Sequence, residues 1–198
     1  YFQLSGKESY VPEVSEMTPF EMETHIKRPF PYSTRSSATT GDQLMAIGYL
    51  IKMLELQQGD TILEFGPGWG GLTLELALMD YEITAVDITP KFLELIQTRA
   101  AARHSTVKTV CADMLSYQPT KPFDKLIFYE AFHHCADHVQ LIKNLEQLLA
   151  PGGAVYFAGE PISDSFPMPW GIRLDGVSVW SIRSFGWLEL GFQTSYFL

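Results

Sequence analysis

Apolar and polar residues follow two different periods along the chain, and these periods alternate from about residue 42 onward. Apolar residues three or four positions apart predict helices, whereas short apolar runs bounded by turn residues predict buried strands. The predicted helices cover 42–56, 71–80, 90–104 and 137–150. The predicted strands cover 61–65, 82–87, 107–111, 124–129, 154–160 and 192–198.

Helices and strands that alternate in this way predict a doubly wound α/β fold with a mostly parallel sheet. Asp42 lies near the start of the first helix, Pro90 occupies the first turn of the third, and Pro151-Gly152-Gly153 is expected to stop the fourth. We expect an N-terminal arm at 1–41 that packs on a single domain at 42–198. Residues 1–3 resemble the remainder of a protease-site tag.

Composition narrows the classes of protein. The hydrophobic share of 46% is too high for a disordered chain. The net charge of −9 disfavours nucleic acid as a partner, since phosphate binding depends on Lys and Arg. No apolar run has the length of a membrane span, and no signal-peptide pattern is seen. We therefore expect no membrane contact. Two cysteines make no disulfide framework, so a cytoplasmic location is the expectation.

A glycine loop, LEFGPGWGG at 63–71, follows the first predicted strand. It is not a P-loop, because no Lys follows the glycines. The spacing Gly66-x-Gly68-x-x-Gly71 formally matches a dinucleotide fingerprint, with Asp87 in the position of a ribose-binding acid. Pro67 removes one N–H that a pyrophosphate would use, and a second acid, Asp113, follows the third strand. Both features weigh against a dinucleotide, and a nicotinamide-dependent oxidoreductase stays open only as an alternative function.

These residues resemble the motifs of class I S-adenosylmethionine-dependent methyltransferases, which have a Rossmann-like fold. The resemblance covers roughly 42–160 and rests on five stretches in order: Glu64-Phe65-Gly66-Pro67-Gly68-Trp69-Gly70, Ala85-Val86-Asp87-Ile88, Ala112-Asp113-Met114, Phe123-Asp124-Lys125-Leu126-Ile127 and Leu149-Ala150-Pro151-Gly152-Gly153. The family sheet usually ends with two more strands, whereas this chain stops near the sixth. An unpaired sheet edge would favour a homodimer.

The resemblance implies S-adenosylmethionine as the cofactor. Gly66 and Gly68 would pass under its methionine part, Asp87 would hold the ribose hydroxyls, and Asp113 with Met114 would flank the adenine. The remaining candidates for cofactor contact are Glu64, Pro67, Trp69, Gly70, Ile88 and Tyr129. Structural alternatives stay open, since Glu64 and Asp87 are also suited to capping and Trp69 to covering the sheet.

A histidine cluster, FYEAFHHCADH at 128–138, follows the fourth predicted strand. Carboxyl ends of strands in such sheets face the ligand crevice, so Glu130, His133 and His134 are the catalytic candidates. A hydroxyl acceptor needs a base, and an imidazole titrates near neutrality. Alternatively, one histidine of the pair has a structural role and connects the loop to the next helix. His138 is expected in the first turn of that helix. We expect no metal, because adjacent residues rarely point at one ion and no second ligand pair is present.

The acceptor side is predicted from Glu160, Trp170 and Arg173, with 161–191 as an insertion that forms the acceptor wall. Trp170 offers an aromatic face and Arg173 can bind an anion, although both are equally suited to structural roles. Glu160 is equally suited to a structural role, as a strand-end residue bonded to loop backbone. Three stretches resemble bacterial methyltransferases associated with surface-polysaccharide biosynthesis: FYEAFHHCADH at 128–138, Gly159-Glu160-Pro161-Ile162 and PWGIRLDG at 169–176. The expected acceptor is a small molecule or a sugar-containing metabolite, with O-methylation favoured. A non-catalytic cofactor-binding module is a further alternative.

Overall fold

The computed structural model describes residues 21–160. Sequence predictions on 1–20 and 161–198 lie outside the described residues. They include the tag remnant, the insertion at 161–191 with Trp170 and Arg173, and the strand at 192–198. Among the described residues, no helix has both the length and the apolar character of a membrane span.

Five helices and five strands make up the described part, with two short 3₁₀ helices. The helices are α1 Met22–Lys27, α2 Ser37–Met53, α3 Gly71–Leu78, α4 Pro90–Ala102 and α5 His138–Leu148. The strands are β1 Thr61–Phe65, β2 Glu82–Asp87, β3 Lys108–Cys111, β4 Phe123–Tyr129 and β5 Leu149–Ala158. The 3₁₀ helices are Tyr32–Thr34 and Phe132–His134.

The strands form one parallel sheet in the order β3-β2-β1-β4-β5. The strand order reverses between β1 and β4, and such a switch point opens a crevice at the carboxyl ends of the strands. The prediction of a doubly wound parallel sheet is confirmed.

Alternate strand residues feed two hydrophobic cores on opposite faces of the sheet. Ile62, Ile83 and Ile127 pack with residues of α2 and α3. Leu63 and Phe128 pack with the apolar side of α5. The central strands are buried on both faces, which explains why they read as continuous apolar runs.

The prediction that the first helix begins near Asp42 is wrong. Helix α2 begins at Ser37, and Ser36 caps it by accepting a 3.1 Å hydrogen bond from the Thr39 N–H. The polar residues of this first turn lack the apolar spacing that marks a helix in sequence. The predicted boundary between arm and domain, at 41/42, falls inside this helix.

The prediction that Pro151-Gly152-Gly153 separates a helix from a strand beginning at 154 is also wrong. Helix α5 ends at Leu148, and β5 begins at once, with Leu149 opposite Phe123. The pairing then jumps to Ala154 opposite Lys125, so the intervening residues form a bulge. Gly152 has φ +81°, which explains why glycine permits this bulge.

Candidate active site

The glycine loop between β1 and α3 uses three glycines with positive φ: Gly66, Gly68 and Gly70 at +62°, +50° and +71°. A Cβ on Gly66 would lie 2.8 Å from the Ala131 Cβ, and one on Gly70 would lie 2.5 Å from the Ile96 Cγ1. A Cβ on Gly68 would meet nothing within 4 Å. Packing therefore requires Gly66 and Gly70, whereas Gly68 faces open space where a ligand can approach the backbone.

Glu64 lies beneath this loop rather than at its surface. Glu64 is 2% exposed, and its carboxylate accepts a 2.5 Å hydrogen bond from the Thr73 hydroxyl of α3. Burial raises the pKa of Glu64 to about 7, although the Thr73 bond opposes the shift. The side chain thus ties β1 to α3, and the role of Glu64 in binding the cofactor stays a prediction.

Three residues contact Trp69. Its ring stacks on His25 of α1, with centroids 4.5 Å apart and planes at 14°, and meets the edge of Phe92 at 5.0 Å. Its carbonyl accepts a 2.7 Å hydrogen bond from Arg99 of α4. Burial lowers the pKa of Arg99 to about 10, so it stays charged at neutral pH. Sequence analysis missed His25 and Arg99 because neither belongs to a recognised motif.

Asp87 ends β2 and is 8% exposed. Its Oδ1 accepts a 2.7 Å hydrogen bond from the Thr89 N–H, and Thr89 is the N-cap residue of α4. The alternative role of Asp87, supporting the start of the next helix, is thus present in the structure. The predicted ribose role stays a prediction, which this bond does not oppose, since a carboxylate has two oxygens and about four acceptor positions.

Asp113 and Met114 follow β3 in a tight turn. The Asp113 Oδ1 accepts a 2.7 Å hydrogen bond from the Leu115 N–H, and its carbonyl accepts from the Tyr117 N–H at 3.0 Å. Met114 packs against the core on the α5 side of the sheet. Ile88, the other candidate on this side, is 41% exposed.

Glu160 binds the loop between β4 and α5, residues 130–137, here called the histidine loop. One oxygen accepts hydrogen bonds from the N–H groups of Ala131 and Phe132, at 2.8 and 2.7 Å. The other accepts from the backbone N–H of His133 at 3.1 Å and is hydrogen-bonded to the Nδ1 of the same residue at 2.8 Å. The carboxylate was predicted to bind the acceptor. Its oxygens are instead engaged by the loop, and the residue is 6% exposed.

The two adjacent histidines have different surroundings. Their ring centroids are 4.2 Å apart. The pKa of His134 is lowered to about 4, mainly by burial and also by the charge of His133, while Glu160 acts in the opposite direction. His134 is therefore neutral at pH 7 but weakly basic. His138 is the first residue of α5, as predicted, with its ring 4.9 Å from that of Phe132.

Tyr129 and Glu130 lie where β4 ends. The Tyr129 hydroxyl accepts a 2.8 Å hydrogen bond from the Gln43 side chain, which joins α2 to this strand end. Glu130 has φ +53°, a conformation in which the chain leaves the sheet sharply. Gln43 was missed in the sequence, because its partner is 86 residues away.

The register brings the predicted residues to one edge of the sheet. Phe65 pairs with Val86 and with Phe128, and Asp87 pairs with Cys111. The loops that follow these strands are therefore neighbours, and the close approach of Gly66 to Ala131 joins the glycine loop to the histidine loop. Within residues 21–160, no group of three His, Cys, Asp or Glu side chains is arranged to hold a metal.

Comparison with known proteins agrees with this geometry. The family described as "Methyltransferase domain" matches residues 62–153. The ubiquinone biosynthesis O-methyltransferase of Caulobacter vibrioides is 29% identical over 103 residues, which are 51% of this chain and 41% of that protein. The enzyme of the same name from Coxiella burnetii is 27% identical over 112 residues, 54% and 48% of the two chains. The match thus spans less than half the length of these curated relatives.

Solved structures show the same fold. A methyltransferase from Thiobacillus denitrificans, in complex with S-adenosyl-L-homocysteine, has a TM-score of 0.51 at 26% identity, over 57% of this chain and 47% of that one. Coclaurine N-methyltransferase, bound to N-methylheliamine and S-adenosylhomocysteine, has a TM-score of 0.57 at 21% identity, over 62% and 37%. The second likeness concerns the fold alone.

The residues at this edge of the sheet fit S-adenosylmethionine, the cofactor that the sequence resemblance implied. An open backbone at Gly68 and an acid at the end of β2 suit an adenosine-containing ligand with a charged tail. The order of the motifs, the sheet and the family match agree on one assignment. Residues 62–153 match a methyltransferase domain, and the described part of the chain has the fold of class I S-adenosylmethionine-dependent methyltransferases.

Proposed function

We propose that the protein transfers a methyl group from S-adenosylmethionine to a small-molecule or sugar-containing acceptor, with a hydroxyl oxygen favoured as the methylated atom. One observation carries this proposal. The glycine loop and the histidine loop meet at the switch point of the sheet, where a Cβ on Gly66 would lie 2.8 Å from Ala131. The names of the Caulobacter and Coxiella relatives support oxygen as the acceptor atom.

On the cofactor side, each residue has a proposed role. Gly66 and Gly68 pass under the methionine part, Asp87 accepts hydrogen bonds from the ribose hydroxyls, and Asp113 with Met114 flanks the adenine. The position of Asp87 at the end of β2 and the open space at Gly68 support these roles. When bound, the cofactor supplies a methyl group activated by its sulfonium.

On the acceptor side, His133 is the proposed base. A hydroxyl loses its proton as its oxygen gains the methyl group, so a base within reach accelerates the reaction. His134 is the weaker candidate, because its pKa is lowered to about 4. Glu130 lies at the start of the same loop. Trp170, Arg173 and the rest of 161–191 stay predictions for the acceptor wall.

Titration calorimetry tests the cofactor assignment first. S-adenosylmethionine and S-adenosylhomocysteine are titrated into the wild type, Asp87→Asn and Glu146→Gln. Asparagine keeps an acceptor for the Thr89 N–H but loses the charge and one acceptor oxygen. We expect micromolar binding by the wild type, a loss of about tenfold or more in Asp87→Asn, and no change in Glu146→Gln, whose side chain lies exposed on α5.

Two outcomes would favour the alternatives. Tight binding of NADH, with none of S-adenosylmethionine by the folded wild type, would contradict the proposal and favour an oxidoreductase. Cofactor binding without release of S-adenosylhomocysteine for any phenol, sugar or amine acceptor would favour a non-catalytic module. A His133→Ala change that leaves turnover unaltered would contradict the assigned base.

A further inference from the structure

We propose that Glu160 is a positioning residue, which fixes the loop 131–134 and holds His133 in the tautomer with its proton on Nδ1. In that tautomer the ring presents Nε2 as its basic nitrogen. The catalytic role of this arrangement rests on the proposed methyl transfer. The tautomer of His133 can be tested whether or not the protein transfers a methyl group.

The argument starts from four hydrogen bonds on one carboxylate. Three come from the successive backbone N–H groups of Ala131, Phe132 and His133, at 2.8, 2.7 and 3.1 Å. The fourth joins the same carboxylate to the His133 Nδ1 at 2.8 Å. Successive N–H groups that converge on one point form a concave anion site, which here is filled by a side chain of the same chain.

The charge of Glu160 determines the direction of the fourth bond. Burial raises the pKa of this carboxyl, but the hydrogen bond and charge of His133, with the N–H groups of Phe132 and Ala131, lower it below its ordinary value. Glu160 is therefore ionised at neutral pH. An ionised carboxylate only accepts hydrogen bonds, so Nδ1 must donate and must carry the proton.

The backbone brings Glu160 to this position through two residues with positive φ. Gly159 has φ +64°, and a Cβ there would lie 2.6 Å from the Glu130 Cγ. Glycine thus lets the end of β5 pass close to Glu130, where the chain leaves β4 with φ +53°. The two strand ends meet, and the carboxylate lies beneath the histidine loop.

Two other titratable residues lie near His133 in the chain, namely His134 and Glu130. The His134 ring is 4.2 Å away and is neutral at pH 7. Glu130 belongs to the same loop, three residues before His133. The side chain of Glu160 is 2% exposed and that of His133 is 22% exposed. The hydrogen bond is therefore shielded on the carboxylate side and reachable on the imidazole side.

This arrangement suits the proposed reaction. His133 takes the acceptor's hydroxyl proton at Nε2 as the acceptor oxygen bonds to the methyl carbon, and the C–S electron pair stays with sulfur. Nδ1 keeps its proton, and the positive charge that forms on the ring lies 2.8 Å from the Glu160 oxygen. Glu160 acts on the acceptor only through His133.

The experiment measures the tautomer directly in the full chain. Protein labelled with ¹⁵N-histidine is studied by NMR at about pH 8.5, where an unperturbed imidazole is neutral. The His133 signals are assigned by their loss in His133→Asn. We expect a protonated Nδ1 in the wild type and in Glu146→Gln, and a shift toward protonated Nε2 in Glu160→Gln. A wild-type His133 with its proton on Nε2 would overturn the proposal, as would an unchanged tautomer in folded Glu160→Gln.

Turnover separates a positioning role from a purely structural one. With an active acceptor, Glu160→Gln should lower kcat at least about tenfold while the affinity for S-adenosylmethionine stays within about twofold. Equal losses in cofactor affinity and kcat would indicate general loop collapse and contradict the role. If Glu160→Gln does not fold, the wild-type tautomer still decides. Absence of cofactor binding by the wild type would contradict the proposed function and leave the tautomer result standing.

Discussion

At the scale of single residues, Glu64 links the site to stability. Its folded-state pKa of about 7 exceeds its ordinary value of 4.5, so the proton is bound more tightly in the folded chain. Stability from this group is fully present below pH 4.5 and is lost as pH rises through 7. The Thr73 bond remains in either protonation state, since the carboxyl can accept it in both.

The change Glu64→Gln should remove this pH dependence. Between about pH 5 and pH 8 the wild type should lose roughly 2–3 kcal/mol of unfolding free energy relative to the variant. Glutamine still accepts from Thr73 and does not ionise. Urea unfolding of both proteins at the two pH values gives the difference. Parallel pH profiles would show that Glu64 is not protonated in the folded chain.

Two glycines of the loop, Gly68 and Gly70, should respond differently to alanine. In Gly70→Ala the new Cβ meets Ile96 at 2.5 Å and φ stays positive, so unfolding free energy should fall by roughly 2–4 kcal/mol. In Gly68→Ala only φ is unfavourable, and the loss should be about 1–2 kcal/mol. Gly59→Ala is the matched control, with φ +93° and nothing within 4 Å of a Cβ.

The same series separates stability from binding. Gly68→Ala and Gly59→Ala should lose similar stability, measured by urea unfolding, but only Gly68→Ala should lose affinity for S-adenosylmethionine, measured by calorimetry. An unchanged affinity in Gly68→Ala would mean that the cofactor does not pass close to this backbone.

At the scale of elements, the sequence predicts strands better than the contacts between them. Strands β1 and β2 have the predicted bounds, because turn residues flank short apolar runs. Helix α2 starts five residues early, because its first turn is stabilised by the Ser36 cap rather than by apolar spacing. The bond between His133 and Glu160 spans 27 residues, so it depends on how β4 and β5 pair.

Helix α4 offers a test of how neighbouring elements hold the glycine loop. Arg99 is 7% exposed and donates to the Trp69 carbonyl, so Arg99→Met leaves that carbonyl without this donor. We expect a loss of about 1–3 kcal/mol in unfolding free energy and faster hydrogen exchange at the Gly70 N–H. The bond from this N–H to the Pro67 carbonyl, 2.8 Å long, closes the loop.

Arg103→Met is the matched control on the same helix. Arg103 forms an exposed ion pair with Glu75 at 3.1 Å, and such pairs contribute about 0–1 kcal/mol. Equal effects of the two substitutions would show that the Trp69 carbonyl is hydrated when Arg99 is absent, and that α4 does not hold the loop.

At the scale of the whole molecule, the site belongs to no single element. The order β3-β2-β1-β4-β5 places the loops after four strands side by side, although 49 residues separate Asp113 from Glu64 in the chain and 20 separate it from His133. A ligand that contacts these loops together should stabilise the domain as a unit, because unfolding any of the strands would release it.

This reasoning gives a prediction for thermal unfolding. A ligand that binds only the folded state at about 100 times its Kd adds about 2.7 kcal/mol to the unfolding free energy. S-adenosylmethionine at that excess should therefore raise the Tm of the wild type by several degrees. At the same concentration Asp87→Asn should gain far less, because its Kd is weaker, and Glu146→Gln should match the wild type. Equal gains in all three proteins would place the cofactor away from the end of β2 and would contradict the site built from the switch point.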